Sequence, residues 1–345
     1  MNEWQLELSD SISDFEKLKK YIKLTDDEEV AAKHNRLFKI TPHLLEQISH
    51  FDKGQKIRRQ FVPWEQQNIW HAEFEDDFLC EEENEVAENL VQRYPYKAIL
   101  LATYDCPAYC LFCTRKRNTA LCSHINNLDN AYSYLKEHPE IYDVIVTGGD
   151  PFILTDDELE DIFSQLTKIN SIKIIRVNTR TPVTIPRRIT PELICVLKKY
   201  NISYINIHFE HPNEITEETI DACRRLAENG ILLGSQSVLL KGINDDYETL
   251  KELFLKLLLA KVRPYYLYQC DKISGCEPFY VPPANGITLI NRITPEVPGL
   301  CVPRFVIDAP GEIGKITAAP NGVIAYGENS MILKNFQANK IYDYH

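Results

Sequence analysis

The sequence predicts an α/β fold in which parallel strands alternate with helices. From about residue 97, short apolar runs alternate with longer amphipathic segments, and capping residues such as Thr155 and Thr190 precede several of those segments. Repeated alternation of this kind implies parallel strands joined by right-handed crossovers, in either an α/β barrel or an open parallel sheet. In both architectures ligands are expected at the carboxyl ends of the strands.

The individual elements follow in order along the chain. Before residue 70, apolar residues at helical spacing predict helices, and an acidic stretch between Glu73 and Glu88 is interpreted as a solvated linker. Buried strands are predicted at residues 98–102, 144–146, 172–177, 204–209, 231–233, 262–268 and 305–307. Helices are predicted between them at residues 128–136, 156–166, 191–200, 217–229 and 247–258.

The composition excludes several classes of protein. The 345 residues suit one large domain or two modest ones, and 38 Lys plus Arg against 50 Asp plus Glu give a net charge of −12, which disfavours a general nucleic-acid binder. The first residues lack a signal-peptide pattern, and no apolar run approaches the roughly 20 residues that span a bilayer. A cytoplasmic protein without a membrane segment is therefore expected, and its ten cysteines are not expected to form a disulfide framework.

Three cysteines lie on one short loop directly after the first predicted strand. Residues 103–117 read TYDCPAYCLFCTRKR, so Cys106, Cys110 and Cys113 have C-x3-C-x2-C spacing. Structural zinc normally takes four ligands in paired spacings, whereas three thiolates on one loop suit a cubane [4Fe-4S] cluster with one open iron. The spacing resembles the signature of the radical S-adenosylmethionine (SAM) superfamily, and the alternative is chance clustering of buried cysteines. The remaining cysteines are expected to be core or incidental surface residues: Cys80, Cys122, Cys195, Cys223, Cys270, Cys276 and Cys301.

A glycine-rich turn follows the next predicted strand. Residues 147–151 read TGGDP, and Gly148, Gly149 and Asp150 are expected to lie beside the SAM amino group. Glycine would be needed there because a side chain would block close approach of the backbone to the ligand. Taken alone the segment is an ordinary turn, and its position one strand after the cysteines is what favours a function.

The second half of the chain contains a series of motifs that indicates a family. They read RVNTRTP at 176–182, NIHFEHPNEI at 206–215, SQSVLLKGIND at 235–245, RPYYLYQCD at 263–271 and FVIDAPGEIGK at 305–315. From about Arg93 to Asn335 the sequence resembles, in register, the lysine 2,3-aminomutase family, whose enzymes use SAM and pyridoxal phosphate (PLP). The resemblance implies a partial (βα)6-type radical SAM barrel at 93–335, a helical N-terminal region with the acidic linker at 1–92, and a tail at 336–345.

The resemblance also assigns roles to individual residues. The cysteine triad holds the cluster, Lys315 is the catalytic lysine that forms a Schiff base with PLP, and Arg115 pairs with the substrate α-carboxylate. Asp271 and Asp308 hold a distal ammonium, because two carboxylates at the end of a pocket require a cationic side chain. Singly, each Asp could instead be a turn residue, and Lys315 a solvated surface lysine. The further cofactor-binding positions are Arg93 at the PLP phosphate, Tyr268 beside the cofactors, and His208 and Gln236 near SAM.

The function that follows from the resemblance is a radical 2,3-amino shift on a cationic amino acid, with L-lysine converted to L-β-lysine as the expected reaction. Arginine or ornithine would suit the same two carboxylates. Alternatives from other classes are a PLP-free radical SAM enzyme that modifies a macromolecule, and a non-catalytic iron–sulfur or zinc module. The implied partner is a one-electron donor such as flavodoxin or ferredoxin, and formation of a homo-oligomer is left open. Lys97 in place of a common arginine, and Glu312 and Ile313 within the glycine run before Lys315, depart from the family pattern.

Overall fold

The protein is an α/β structure built around one curved sheet. The computed structural model describes residues 2–34, 36–65, 73–119, 125, 127–309, 314–326, 331–334 and 341–344, so Cys122, Glu312 and Ile313 lie outside the described residues. The described strands are β1 (Glu85–Ala87), β2 (Leu90–Tyr94), β3 (Lys97–Thr103), β4 (Asp143–Gly148), β5 (Ile174–Thr179), β6 (Tyr204–Ile207), β7 (Leu233–Leu239), β8 (Arg263–Gln269), β9 (Arg304–Ala309), β10 (Gly314–Ala319), β11 (Val323–Tyr326), β12 (Met331–Lys334) and β13 (Ile341–Tyr344). The described helices are α1 (Glu3–Ser9), α2 (Phe15–Leu18), α3 (Asp26–Lys33), α4 (Pro42–Ser49), α5 (Phe51–Phe61), α6 (Lys116–Thr119), α7 (Asp129–Glu137), α8 (Asp156–Thr167), α9 (Thr181–Thr184), α10 (Pro191–Lys199), α11 (Glu217–Glu228), α12 (Tyr247–Leu259) and α13 (Pro283–Ile293). Within these residues, no helix has the length and apolar character needed to cross a membrane.

The central part of the main sheet is parallel. Its described strands pair in the order β1 to β10, and each pair from β3–β4 to β8–β9 is parallel. The pairs β1–β2, β2–β3 and β9–β10 are antiparallel. Helices α6 to α13 lie in the connections between β3 and β9. The prediction of a partial (βα)6-type barrel is therefore confirmed, because six strand–helix units precede β9.

Side chains that the sequence marks as caps do begin helices. The Thr155 hydroxyl accepts the backbone N–H of Glu158 at the start of α8, and Thr190 accepts that of Leu193 at the start of α10. Each bond satisfies an amide that lacks a partner within its helix. The apolar faces of these helices and the outer face of the sheet share one hydrophobic core. The inner face of the sheet is thereby left to form a cavity.

One predicted strand lies several residues away from its observed position. The apolar run at 231–233 precedes most of β7, and the strand instead carries the polar residues Ser235, Gln236 and Ser237. Gln236 lines the cavity, so this strand directs polar atoms inwards where an ordinary core strand would be apolar. Apolar runs alone do not locate a strand whose inner face forms part of a site.

The two ends of the main sheet approach each other through side chains. Arg93 on β2 donates from Nη1 to Asp308 Oδ1 on β9 at 3.1 Å. The neighbouring Tyr94 hydroxyl accepts the backbone N–H of Lys315 on β10 at 2.9 Å. These contacts curl the sheet around the cavity although β1 and β10 remain its edge strands.

The N-terminal helices cover the loop that carries the cysteines. Helices α2 to α5 enclose a second hydrophobic core, which includes Ala108 of that loop. Lys39 Nζ pairs with Asp105 Oδ1 at 3.0 Å, and the Leu111 amide donates to the Gln60 carbonyl at 2.9 Å. The helical extension thus closes the end of the barrel at which the cysteines lie.

The predicted segment boundaries at 93 and 336 fall within sheets. Strands β1 and β2 begin before residue 93 and belong to the main sheet, so the region 1–92 is not helical throughout. Strand β13 lies within the predicted tail and pairs with β12, which also pairs with β11 in a small antiparallel sheet. No apolar run marks β1 in the sequence, because Glu85 and Val86 are exposed and Ala87 is only half-buried.

Candidate active site

One cavity along the inner face of the sheet collects most of the predicted site residues. On β5 the wall of the cavity alternates with the outer core: Arg176 and Asn178 line the cavity, whereas Ile175 and Val177 are buried in the core. The cavity extends from Lys97, at the start of β3, to residues beyond the carboxyl ends of the strands. Eight of the predicted site residues line it: Arg93, Arg115, His208, Gln236, Tyr268, Asp271, Asp308 and Lys315.

The cysteine triad follows β3, and hydrogen-bond donors are directed at two of its sulfurs. Arg180 Nη1 lies 2.8 Å from Cys110 Sγ, and the Arg115 amide donates to Cys113 Sγ at 3.3 Å. Burial raises the pKa of the Cys110 thiol to about 11, and the Arg180 guanidinium opposes that shift. Donors of this kind stabilise thiolates, so the loop fits an anionic iron–sulfur cluster. Among the described residues, no three His, Cys, Asp or Glu side chains converge on a single metal ion, whereas in a cubane each thiolate binds its own iron.

The glycine turn after β4 packs against the cysteine loop. A Cβ on Gly148 would overlap the Thr103 carbonyl oxygen, and one on Gly149 would overlap the Asp105 carbonyl oxygen. The φ of +124° at Gly148 also disfavours any other residue. The glycines are therefore required by the neighbouring backbone, in addition to the close approach to a ligand that the sequence predicts.

Asp150 is engaged in structural hydrogen bonds. Its carboxylate accepts the Thr179 hydroxyl at 2.6 Å, the Arg180 amide at 2.7 Å and the Phe152 amide at 3.1 Å. Burial raises the pKa of the Asp150 carboxyl, and these donors oppose the shift. These contacts, with the bond from the Asp150 amide to the Asp105 carbonyl, tie the turn after β4 to the end of β5 and to the cysteine loop. That Gly148, Gly149 and Asp150 lie beside the SAM amino group stays a prediction.

Lys315 and Asp308 face each other across the antiparallel pair β9–β10. Lys315 Nζ lies 2.5 Å from Asp308 Oδ2, and Arg93 Nη1 approaches the other carboxylate oxygen, so two cations neutralise this buried carboxylate. Lys315 Nζ also lies 5.4 Å from the centre of the Tyr268 ring. The side chain is 31% exposed, and its ammonium group lines the cavity and is paired there with Asp308.

Asp271, just beyond the carboxyl end of β8, lacks such compensation. Burial and the negative charge of Asp308 raise the pKa of the Asp271 carboxyl to about 8, although Lys315 and Arg93 oppose the shift. In the described part of the chain, no cation lies within ion-pair distance of Asp271. A cationic group placed beside Asp271 would restore its ionised form and gain a strong attraction in return.

A buried glutamate holds Arg115. Glu81 accepts from Arg115 Nε at 2.9 Å and from Nη2 at 2.6 Å, which leaves the Nη1 edge of the guanidinium for another group. Glu81 is only 5% exposed, so the prediction of a solvated linker between Glu73 and Glu88 is wrong at this residue. Asp77 anchors this segment by accepting the Glu81 amide and by pairing with Arg117 at 2.8 Å. Sequence reasoning missed Glu81 because nothing distinguishes one buried acid within a run of exposed acids.

His208 and Gln236 form a hydrogen-bonded pair at the cavity. His208 Nδ1 lies 3.1 Å from Glu210 Oε1, and its Nε2 lies 3.0 Å from Gln236 Nε2. Because the carboxylate can only accept, Nδ1 carries the proton and Nε2 accepts from the Gln236 amide. Both side chains are therefore fixed in orientation before any ligand binds.

Cations concentrate near the amino ends of the central strands. Lys97 Nζ lies 3.9 Å from the centre of the Tyr94 ring, and Arg176 forms two hydrogen bonds with Asp143, at 2.6 and 2.9 Å. Burial lowers the pKa of Lys97, and the charges of Arg176 and Lys315 lower it further. An anion such as a phosphate would relieve this repulsion. Sequence reasoning did not assign Arg176 to the site; the available signal was a charged residue within an otherwise apolar strand.

Comparison with known proteins identifies the family to which the chain belongs. A family model of the radical SAM superfamily matches residues 100–254, and a model described as lysine-2,3-aminomutase matches residues 290–344. The chain is 41% identical over 343 residues to the L-lysine 2,3-aminomutase of Clostridium subterminale, an alignment that covers 97% of this chain and 82% of that protein. It is 41% identical over 342 residues to the enzyme of the same name from Acetoanaerobium sticklandii, with 97% and 83% covered. It is also 35% identical over 351 residues to the glutamate 2,3-aminomutase of Clostridioides difficile, with 99% and 82% covered. The chain belongs to the lysine 2,3-aminomutase family and is an isomerase of the radical SAM superfamily.

Proposed function

We propose that the protein moves the α-amino group of a cationic amino acid to Cβ, with L-lysine as substrate and L-β-lysine as product. The reaction would use a [4Fe-4S] cluster, SAM and PLP. Family membership supports the reaction type, and one observation supports the substrate class. That observation is the uncompensated Asp271 carboxyl beside Asp308 in the cavity wall.

The two carboxylates favour a cationic side chain over an anionic one. Asp308 already has two cationic partners, whereas the pKa of Asp271 is raised to about 8 because its charge is buried and faces a like charge. An ammonium or guanidinium group would supply the missing counter-charge. The γ-carboxylate of glutamate would supply no counter-charge to Asp271 and would oppose its ionisation, so this end of the cavity favours lysine over glutamate.

Arg115 provides a place for the other end of the substrate. Its guanidinium is oriented by Glu81 and lines the same cavity as Asp271 and Asp308. The Nη1 edge can therefore bind an α-carboxylate while the pair of aspartates binds the distal cation. Binding at both ends would fix Cβ relative to the cysteine loop, which radical chemistry requires for selective removal of one hydrogen.

The remaining residues fit the cofactors. Cys106, Cys110 and Cys113 would hold the cluster, with donors directed at two of their sulfurs. His208 and Gln236 would contact SAM, Tyr268 would lie beside the cofactors, and the cations Arg93, Lys97 and Arg176 would bind the PLP phosphate. When bound, the cluster and SAM supply a radical that removes a hydrogen atom, and PLP supplies the conjugated system that carries the migrating nitrogen.

Lys315 would attach PLP to the protein through its amine. Its Nζ lies 2.5 Å from Asp308 Oδ2, across the strand pair β9–β10. The proton must leave Nζ before the amine can act as a nucleophile, and Asp308 Oδ2 is within reach to accept it.

Anaerobic reconstitution tests the proposal. The protein would be loaded with iron, sulfide, SAM and PLP, reduced with dithionite, and assayed with lysine, arginine, ornithine and glutamate. We expect β-lysine from lysine and no product from glutamate. Lys315→Ala should lose the reaction and the borohydride-trapped PLP adduct, while Lys199→Ala, at an exposed site, should keep both. Full aminomutase activity in Lys315→Ala would refute the assignment, and SAM cleavage without any amino acid turnover would favour a macromolecular substrate.

A further inference from the structure

Buried polar side chains link the cysteine loop to the cavity, and Arg180 lies at the cysteine end of this series. Arg180 follows β5 directly and is only 7% exposed. From it the contacts continue through Glu214 to Glu210, whose carboxylate holds the His208 ring. The function proposed above uses His208 and the cysteines but gives no role to the residues between them.

The two terminal nitrogens of the Arg180 guanidinium, Nη1 and Nη2, contact different partners. Nη1 lies 2.8 Å from Cys110 Sγ. Nη2 lies 3.3 Å from Glu214 Oε2 and also donates to Gln60 Oε1. The guanidinium carbon lies 4.6 Å from the centre of the Phe61 ring, which covers one approach to it. The charge is therefore fixed in position at the sulfur and shielded from water.

Glu214 is the counter-charge of this arginine. Its carboxylate accepts from Gln60 Nε2 at 2.6 Å, from the Glu210 amide at 3.0 Å and from Arg180. All three contacts are donors and favour the ionised carboxylate, which opposes the rise in the Glu214 pKa that burial and the neighbouring Glu210 cause. Glu214 thus neutralises part of the Arg180 charge on the side away from the sulfur.

We propose that Arg180 is a positioning residue that orients the Cys110 thiolate and raises the reduction potential of the cluster bound there. The inference rests on the proposed function, since it requires Cys110 to be a cluster ligand. Addition of one electron from the external donor makes the cluster more negative. A cationic donor on a ligand sulfur stabilises that reduced state more than the oxidised state. Glu214 reduces this effect. The wild-type potential should therefore lie between that of a variant without the Arg180–Cys110 contact and that of a variant without the Glu214 carboxylate.

A purely structural role for Arg180 would leave the potential unchanged, and Arg188 provides the matched control. Arg188 is also a fully buried arginine, and it donates to the Phe152 and Leu154 carbonyls and pairs with Asp156 at 2.8 Å. Its described contacts do not include the cysteine loop. Arg188→Lys therefore measures how far the cluster potential changes when a buried arginine away from the cysteine loop is replaced by lysine.

The test is an EPR-monitored redox titration of the reconstituted protein without substrate. Arg180→Lys keeps the charge but cannot bridge Cys110 and Glu214, so its midpoint potential should be more negative than that of the wild type. Glu214→Gln removes the paired carboxylate and leaves Glu210 as the remaining acidic neighbour of Arg180, so its potential should be less negative. Arg188→Lys should match the wild type.

Equal potentials in Arg180→Lys and the wild type would overturn the inference. Should Arg180→Lys not retain iron, Glu214→Gln decides alone, and a potential equal to that of the wild type would then overturn it. A wild-type protein that binds no cluster would refute the proposed function itself. A wild-type protein that binds the cluster and cleaves SAM, with potentials unmoved in the variants, would refute only the role of Arg180.

Discussion

Substitution of Asp271 by Asn should stabilise the protein while impairing its reaction. In the folded state the Asp271 carboxyl is desolvated and faces Asp308, which raises its pKa to about 8. In the unfolded chain the same carboxyl has a pKa near 3.9. Folding therefore opposes ionisation of this group, and a neutral isostere removes that penalty.

The size and pH dependence of the effect follow from the two pKa values. Below about pH 4 the carboxyl is protonated in both states, so it imposes no penalty. As the pH rises towards 8, the unfolded state ionises first and the folded state loses stability relative to it. A shift of about four units corresponds to about 5.6 kcal/mol above pH 8, and to about 4 kcal/mol at pH 7, where the folded carboxyl is mostly protonated. The amide has its own burial cost, so these figures are upper limits.

Thermal unfolding of the cluster-loaded protein without substrate measures this effect. The difference in midpoint between Asp271→Asn and the wild type should be small at pH 5 and should grow to several degrees by pH 8. Asp143→Asn is the matched control, because it removes one partner of the ion pair with Arg176 and should lower the midpoint. A loss of stability in Asp271→Asn at pH 8, or a gain that does not change with pH, would refute the reasoning.

Three further predictions concern the same site. The KM for lysine should fall by up to about tenfold per pH unit between pH 6 and 8, since Asp271 must lose its proton to pair with the substrate, and Asp271→Asn should abolish this dependence in steady-state assays. Glu81→Gln should raise the KM by about tenfold because it weakens the contacts that orient Arg115. Glu82→Gln, at a side chain that is 72% exposed, should leave the KM unchanged. A lower KM in Glu81→Gln would mean that Glu81 blocks the substrate site. Gly149→Ala should lower the iron content after reconstitution because its Cβ would overlap the Asp105 carbonyl. Gly299→Ala has open space around its Cβ and should retain the wild-type iron content. Equal iron contents in the two variants would contradict this packing.

Much of the fold could be predicted because its signals are local. Apolar runs and capping threonines identified the central strands and helices, and the cysteine spacing with the motifs after it indicated the family that the comparisons confirm. The same reasoning failed at β7, whose inner face is polar because it lines the cavity. It also failed at β1, which has no buried residue to mark it.

The interactions within the site could not be predicted because they join residues far apart in sequence. The pairing of Arg93 with Asp308 and that of Glu81 with Arg115 depend on how the sheet curls, which no local pattern encodes. Gly148 and Gly149 approach the backbone of the cysteine loop, a reason for glycine that the sequence alone did not reveal. The sequence motif indicates that glycine is needed in this turn, and the contacts of the folded chain with Thr103 and Asp105 explain the need.

The most direct test of the central claim is a comparison of kcat/KM for L-lysine and L-glutamate in the reconstituted wild-type enzyme. The cavity with Asp271 and Asp308 predicts that lysine is preferred by roughly a hundredfold or more, which corresponds to about 3 kcal/mol of discrimination. Equal or faster conversion of glutamate would contradict the claim that these two carboxylates select a cationic amino acid.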